Sequence, residues 1–362
     1  MIQANPLLGV GLHAVGALSA ASCYTPQRQT VRWSWEVYWI SQATFAWLIL
    51  PIVGAWLTVP DYTQLLAQSS GTVMLKTFGL GFVYGFGGLA FGLAIQYVGF
   101  SLTYSLAIGI SAILGTIVPL VWTPNGGFEY QLDALFNSTS GLIVLVGLVL
   151  AVTGIFVCGY AGLLREQSNR RSATSSTMSF RRGLPLAVAA GILSAVFNFA
   201  LLAGDPLAQA ATQQGAKEVL SMNAIYPFSH GGAWLLNLFW CLFLIRKNNS
   251  GGEFFRLPGE NRRSLGFYYL MAMLSGAFWY FQFFFYGMGH QNLGQKFGFT
   301  SWAIHMSLLI LFSNLYGYVF KEWVGASSVP KKVLHLGMLL IVGATLLITY
   351  GNYLEQVPSS VR

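Results

Sequence analysis

The feature that most limits what this chain can fold into is the grouping of its apolar residues. Ten stretches of about 20 residues or more, long enough to cross a bilayer core as helices, lie at 4–24, 34–58, 72–98, 101–122, 139–162, 183–204, 220–246, 265–288, 298–320 and 332–353. Lipid offers no partner to a backbone N–H or C=O, so a spanning segment must satisfy its own hydrogen bonds. The runs do not alternate in polarity, which excludes the strands of a transmembrane barrel. Only 8% of the 362 residues are charged and 55% are hydrophobic. A soluble fold, with about 25% charged residues, would cover its surface; this chain could not. The fold class expected is an all-α integral membrane protein with ten transmembrane helices. The first stretch has no Lys or Arg ahead of its apolar run, so it reads as a helix and not as a secretory signal.

Charge sets the orientation. Of the 19 Lys and Arg residues, fifteen fall in the odd-numbered loops: Arg28 and Arg32; Arg165, Arg170, Arg171, Arg181 and Arg182; Arg246, Lys247, Arg256, Arg262 and Arg263; Lys321, Lys331 and Lys332. Lys76, Lys217, Lys296 and Arg362 lie on the other face. Basic loops stay in the cytoplasm, which places both termini outside. The net charge of +8 follows from this bias. No basic stripe interleaved with stacking aromatics points to nucleic acid. The segment "REQSNRRSATSSTMSFRR" parts the chain into a first five-helix repeat (1–162), a cytoplasmic linker (163–182) and a second five-helix repeat (183–362). An odd number of helices per half makes the second half enter the membrane inverted, the arrangement of inverted-repeat transporters. Small residues dominate the third and fourth helices, glycines in the third and Ser105, Gly109, Ser111 and Gly115 in the fourth, and close packing is a sufficient reason for them. Cys23, Cys158 and Cys241 show no metal spacing, and read as small apolar residues.

Polar groups inside a membrane are costly and mark interiors or cavities. Counted by rise per residue, His13, Asn198, His230, Gln282 and His305 fall in one central-to-outer layer on five different helices. Gln282 stands inside "WYFQFFFYGMGHQ", and Trp279, Gln282 and Tyr286 share a helical face by i, i+3, i+7 spacing. Rings around one amide suit a small neutral sugar: apolar sugar faces pack on aromatic plates, and an amide both donates and accepts. The alternative for each residue is a hydrogen bond to a neighbouring helix. No embedded cluster of Arg or Lys favours an anionic substrate. At the cytoplasmic ends, Glu36 in "WSWE" and Lys321 with Glu322 in "FKEW" read either as interfacial anchors beside Trp33, Trp35 and Trp323, or as an inner gate or proton site. Glu36 and His305 lead as proton carriers. Pro227, in the seventh helix, marks a place where that helix could break. No P-loop, HExxH, GxSxG or CxxC motif is present, so neither an ATP motor nor an enzyme is expected, and no cofactor is implied beyond an ion gradient, with Na⁺ in place of H⁺ left open.

The stretches "HAVGALSAASCYTP…WSWE", "LAIQYVGFSLTYSLAIGI", "WYFQFFFYGMGH" and "SWAIHMSLLILFSNLYGYVFKEW" resemble the bacterial L-rhamnose–proton symporter family, a branch of the drug/metabolite transporter superfamily. The resemblance runs from the first helix to the ninth, and the last two stretches are the most specific. It implies ten helices in two inverted five-helix repeats, a bacterial inner-membrane location, and L-rhamnose uptake driven by the proton gradient. It carries over Tyr24, Trp35 and Glu36, then Trp279, Gln282 and His290, then His305, Lys321, Glu322 and Trp323, as matching positions. The methyl group of this sugar calls for an apolar wall, for which Phe281, Phe285 and Trp302 are candidates. The rivals are a metabolite or amino-acid exporter of the same superfamily and a non-transporting sugar sensor; no loop is large enough for the signalling domain a sensor needs.

Overall fold

The computed structural model describes residues 5–98, 100–121, 127–170, 177–257, 264–294 and 297–356. Arg171, Arg262, Arg263, Lys296 and Arg362, used above for orientation, and linker residues 172–176 lie outside that set. All regular elements among the described residues are helical. Ten are long: α1 (Pro6–Ser22), α2 (Trp35–Thr58), α3 (Gly71–Val98), α4 (Phe100–Val121), α5 (Thr139–Arg170), α6 (Thr177–Ala203), α7 (Tyr226–Asn248), α8 (Leu265–Leu293), α9 (Thr300–Val319) and α10 (Ser328–Gln356). Among the described residues, eight segments are long and apolar enough to cross a membrane; α8 is not one of them, and α4 contributes only a shorter apolar stretch, Thr103–Val118. The tyrosines, Trp279, glycines and Gln282 of α8 lower its hydropathy without shortening it.

Two boundaries differ from the sequence expectation. The α8 helix runs on to Leu293, so His290 sits within it, and Gly294 ends it with φ of +84°, the left-handed cap a glycine adopts at no steric cost. The seventh segment does not begin as an α-helix. Glu218–Ala224 is a 3₁₀ turn, and α7 starts at Tyr226 with Pro227 in its first turn, where the missing N–H costs nothing. Helix α2 is α-helical over Trp35–Thr44, opens into a π turn over Phe45–Ile49, and resumes as α-helix over Leu50–Thr58.

The chain divides into two compact units, made of 1–18, 87–198 and 288–362 (unit 1) and of 19–86 and 199–287 (unit 2). Their boundaries fall inside α1, α3, α6 and α8.

Unit 1 is built on close backbone contact. Gly147 and Gly154 on α5, and Gly337 and Gly351 on α10, recur at multiples of seven residues, the repeat that keeps one face turned to a partner along a left-handed crossing. A Cβ on Gly154 would lie 3.0 Å from the Gly337 carbonyl, and one on Gly337 would lie 2.6 Å from Cys158 Sγ and 2.8 Å from its nitrogen. Glycine thus lets dispersion contacts form that any side chain would forbid, the usual source of helix association in lipid. Ser140 Oγ closes one end of the seam by donating to Glu355 Oε2 at 2.7 Å. Beside it, α9 lies on α4. The Trp302 indole N–H donates to the Ser111 carbonyl at 3.0 Å, and its ring occupies the space left by Gly115.

Unit 2 centres on α2, α7 and α8. Trp39 Nε1 donates to Asn237 Oδ1 at 2.8 Å and Trp234 Nε1 to Thr44 Oγ1 at 3.2 Å, so α2 and α7 clasp each other twice. Gly276 brings α8 against α2 at the Gln42 carbonyl, and the Ser275 hydroxyl donates to the Cys23 carbonyl at 2.6 Å. The crowded glycines of α3 split in use. Gly81 and Gly85 meet α7, and Gly87, in unit 1, meets α6; Gly79 and Gly88 face open space.

Candidate functional site

The structure brings Trp279, His230 and Tyr286 into one aromatic group in unit 2, and His13 and His305 together in unit 1. In unit 2, Trp279 is the hub. Its ring centroid lies 5.1 Å from Trp47, 5.0 Å from Phe283, 6.0 Å from His230 and 6.5 Å from Tyr84. His230 is fully buried, edge-on to Phe283 at 5.0 Å and to Tyr226 at 5.2 Å, with Nδ1 3.2 Å from the Ser229 hydroxyl. Tyr286 is buried on the same helix, its ring 6.5 Å from Phe283. Gln282 is 6% exposed and makes no hydrogen bond to protein among the described residues. An amide so placed offers two donors and an acceptor to whatever enters. Tyr24, a match carried by the resemblance, lies half-buried in the turn after α1. Phe281 is 40% exposed, and Trp302 is committed to Ser111 in unit 1.

In unit 1, His13 and His305 are fully buried with ring centroids 5.7 Å apart, and His13 Nε2 lies 2.9 Å from the Ser301 hydroxyl. Gly289 makes room for the His13 ring. Asn198 is buried and its amide donates to the Gly115 carbonyl at 2.8 Å. That bond pins α6 to α4 beside Trp302, a structural use of an amide that sequence depth alone places with the ligand groups.

The cytoplasmic candidates separate in the same way. Glu36, 4% exposed in unit 2, accepts from Asn248 Nδ2 at 2.9 Å and from the Ser250 hydroxyl at 2.8 Å. It ties the start of α2 to the end of α7 and the 3₁₀ turn Ser250–Phe254. Glu322, in unit 1, stands 3.6 Å from Arg165 Nη1, and the Arg165 guanidinium lies 4.9 Å from the centroid of the Trp323 ring. Lys321 is exposed and takes φ of +59°, forming with the Glu322 N–H to Gly317 carbonyl bond the cap that ends α9. Sequence reasoning placed Arg165 only in the basic linker. The signal was its position at the end of the apolar run of α5, where a guanidinium needs a partner to be buried.

A cavity of 320 Å³ in unit 2 opens near the short helices Tyr62–Gln68 and Asp205–Gln213, lined by Gln64, Gln68, Ser69, Gln213 and Gln214. None of the sequence candidates lines it. No group of three or more His, Cys, Asp or Glu suited to a metal occurs among the described residues.

Comparison with known proteins gives the family. The family model "L-rhamnose-proton symport protein" matches residues 2–353. The chain is 34% identical over 347 residues to an L-rhamnose-proton symporter of Mannheimia succiniciproducens, covering 95% of this chain and 98% of that protein. It is 34% identical over 351 residues to the symporter of that name from Pectobacterium atrosepticum (96% and 99%), and 33% identical over 347 residues to the one from Yersinia pestis (95% and 98%). With such cover and its long apolar helices, this is a multi-pass membrane protein, and it belongs to the L-rhamnose-proton symport protein family.

Proposed function

We propose that this chain imports L-rhamnose, or a closely related deoxy sugar, together with a proton, by alternating access across a bacterial inner membrane. The observation that carries the reading is the family match over residues 2–353. The relatives named above are symporters, not enzymes, and a neutral sugar agrees with the chemistry of the buried candidates: rings, one uncommitted amide and no embedded cluster of cations.

The architecture that goes with this function is ten crossings in two inverted five-helix repeats with both termini outside, the form met in the drug/metabolite transporter superfamily. Three features support it. Helix α2 packs on α7, α4 on α9 and α5 on α10, so each pair is offset by five helices. The unit boundaries cut α1 and α3, and again their counterparts α6 and α8. The basic residues favour the odd-numbered loops by fifteen to four.

In this reading Gln282 and Trp279, with Tyr286 and His230, hold the sugar in unit 2. His13 and His305 form the titratable centre of unit 1, and Glu36 and the Lys321–Glu322 turn stand at the cytoplasmic ends as coupling or gating groups. No cofactor takes part; the proton gradient supplies the work. The test is L-rhamnose uptake into proteoliposomes under an inward-acid pH gradient, with and without a protonophore. Uptake that collapses with the protonophore is expected. Uptake indifferent to it and dependent on Na⁺ would replace the coupling ion, and no uptake or binding at all would refute the substrate.

A further inference from the structure

Among the described residues, several indole N–H groups are committed. Trp33 donates to the Glu253 carbonyl at 2.9 Å, Trp39 to Asn237, Trp234 to Thr44, and Trp302 to the Ser111 carbonyl. Trp47 is only 3% exposed, yet its Nε1 is buried with no hydrogen-bond partner. On the same helix Gln42, 2% exposed, has a buried Oε1 that likewise accepts nothing. A donor and an acceptor both stranded in a membrane helix are expensive. Either would be easy to replace by an apolar residue of similar size, so their presence calls for a use.

Local geometry says where that use lies. Pro51 lacks an N–H, and in an unbroken α-helix its ring would press on the Trp47 carbonyl four residues back. The π turn Phe45–Ile49 stands there instead. The extra residue of such a turn carries Gln42 and Trp47, five apart, closer to one face than the roughly 140° an α-helix would put between them. The same stretch of α2 lies against α8. The Gly276 position abuts the Gln42 main-chain carbonyl and Ala46, and one turn on, the Trp47 ring meets Trp279 at 5.1 Å and 79°. Trp279 is three residues from Gln282, whose amide also lacks a protein partner among the described residues.

We propose that Trp47 and Gln42 are sugar-contacting residues of unit 2: the indole N–H donates to one hydroxyl of the substrate and the Gln42 carbonyl oxygen accepts from another. The Trp47 ring stands against Trp279, and Gln42 lies on the stretch of α2 whose backbone packs on α8 at Gly276. This rests on the sugar-transport reading above and extends its site from α8 to α2. The three groups together read the hydroxyls of the sugar, while the Trp47 and Trp279 rings cover its apolar face. A structural alternative is an N–H aimed at the face of Trp279.

The test compares wild type with Trp47→Phe, which keeps a ring and removes the N–H, and Gln42→Met, which keeps the length and removes the amide. Each is checked for folding by thermal denaturation in detergent, then assayed for uptake and binding of L-rhamnose and of analogues each lacking one hydroxyl. The loss of one neutral hydrogen bond should raise the transport constant about 3- to 10-fold in each variant. For each variant, one analogue should bind no worse than it binds wild type, because the lost partners coincide. Folded variants with wild-type constants for every sugar would overturn the proposal and leave the N–H to the Trp279 face. A 3- to 10-fold loss spread evenly over all analogues would overturn it too, since a packing defect does not recognise a hydroxyl. If Trp47→Phe does not fold, Gln42→Met alone decides. A wild type that takes up no L-rhamnose would instead sink the sugar reading itself.

Discussion

Replacing Gln282 by leucine separates a ligand group from a structural one by the sign of its effect on stability. The amide is 6% exposed and has no protein partner among the described residues. An amide left unpaired in apolar surroundings costs about 1–3 kcal/mol by the measure of protein substitutions. Its residual exposure lets it keep some solvation, so the lower end applies. Gln282→Leu should therefore stabilise the fold by about 1 kcal/mol, with leucine gaining contacts from the neighbouring rings besides. Had the amide bridged two helices, its removal would instead cost roughly 0.6–1 kcal/mol. The two readings thus differ by about 2 kcal/mol, within reach of a denaturation titration in mixed micelles. Uptake should move the other way. With the amide's bonds to the sugar gone, the transport constant should rise at least tenfold, since each 1.4 kcal/mol is a factor of ten. A variant that is less stable, or that transports L-rhamnose with the parent's constant, would refute the assignment of Gln282 to the substrate.

Other outcomes follow from the packing. Gly337→Ala must push a methyl within 2.6 Å of Cys158 Sγ and 2.8 Å of its nitrogen; it should lose about 1–3 kcal/mol by overpacking, whereas Gly88→Ala, with nothing within 4 Å, should gain up to about 1 kcal/mol of helix propensity, both read by the same titration. Trp302→Ala, which empties the space beside Gly115 and breaks the bond to Ser111, should cost about 3–5 kcal/mol and lower the yield of folded protein on a sizing column. Glu36→Gln keeps an oxygen for Asn248 and Ser250, so it should fold; if Glu36 carries the proton, L-rhamnose exchange persists while uphill accumulation stops, and undiminished accumulation would remove Glu36 from the coupling path. Arg165→Met should change stability by less than about 1 kcal/mol, because Glu322 is 26% exposed and its pairing at 3.6 Å is partly screened.

Much of this was legible in the sequence because lipid makes the rules strict. Helix length, helix state and the odd position of Gln282 follow from apolar runs and from the cost of a lone amide. What sequence could not give was partners. Asn198 and Gly115 are 83 residues apart, and His13 and Ser301 are 288 apart; depth along a helix says that a polar group is buried, not whether it is already satisfied. So Asn198 reads with the ligand groups, and depth does not reveal that its amide N–H donates to the Gly115 carbonyl. The π turn of α2 left one trace, Pro51, and a proline alone does not say whether a helix kinks, ends or widens. The glycine repeat of α5 and α10 is visible only once the two helices are known to meet.

That seam has a consequence for how the protein is made. Ser140 and Glu355 lie 215 residues apart, and a ribosome adding about 5–20 residues per second needs roughly 10–40 s to bridge them. For that interval α5 sits in the bilayer with its strip of glycines turned to lipid tails or to an insertion chaperone. Among the described residues, the contacts of Gly147 and Gly154 come from α10. Assembly of unit 1 is therefore post-insertional for its tightest contact, and a chain stalled before α10 would expose the surface by which membrane quality control could recognise it as unfinished.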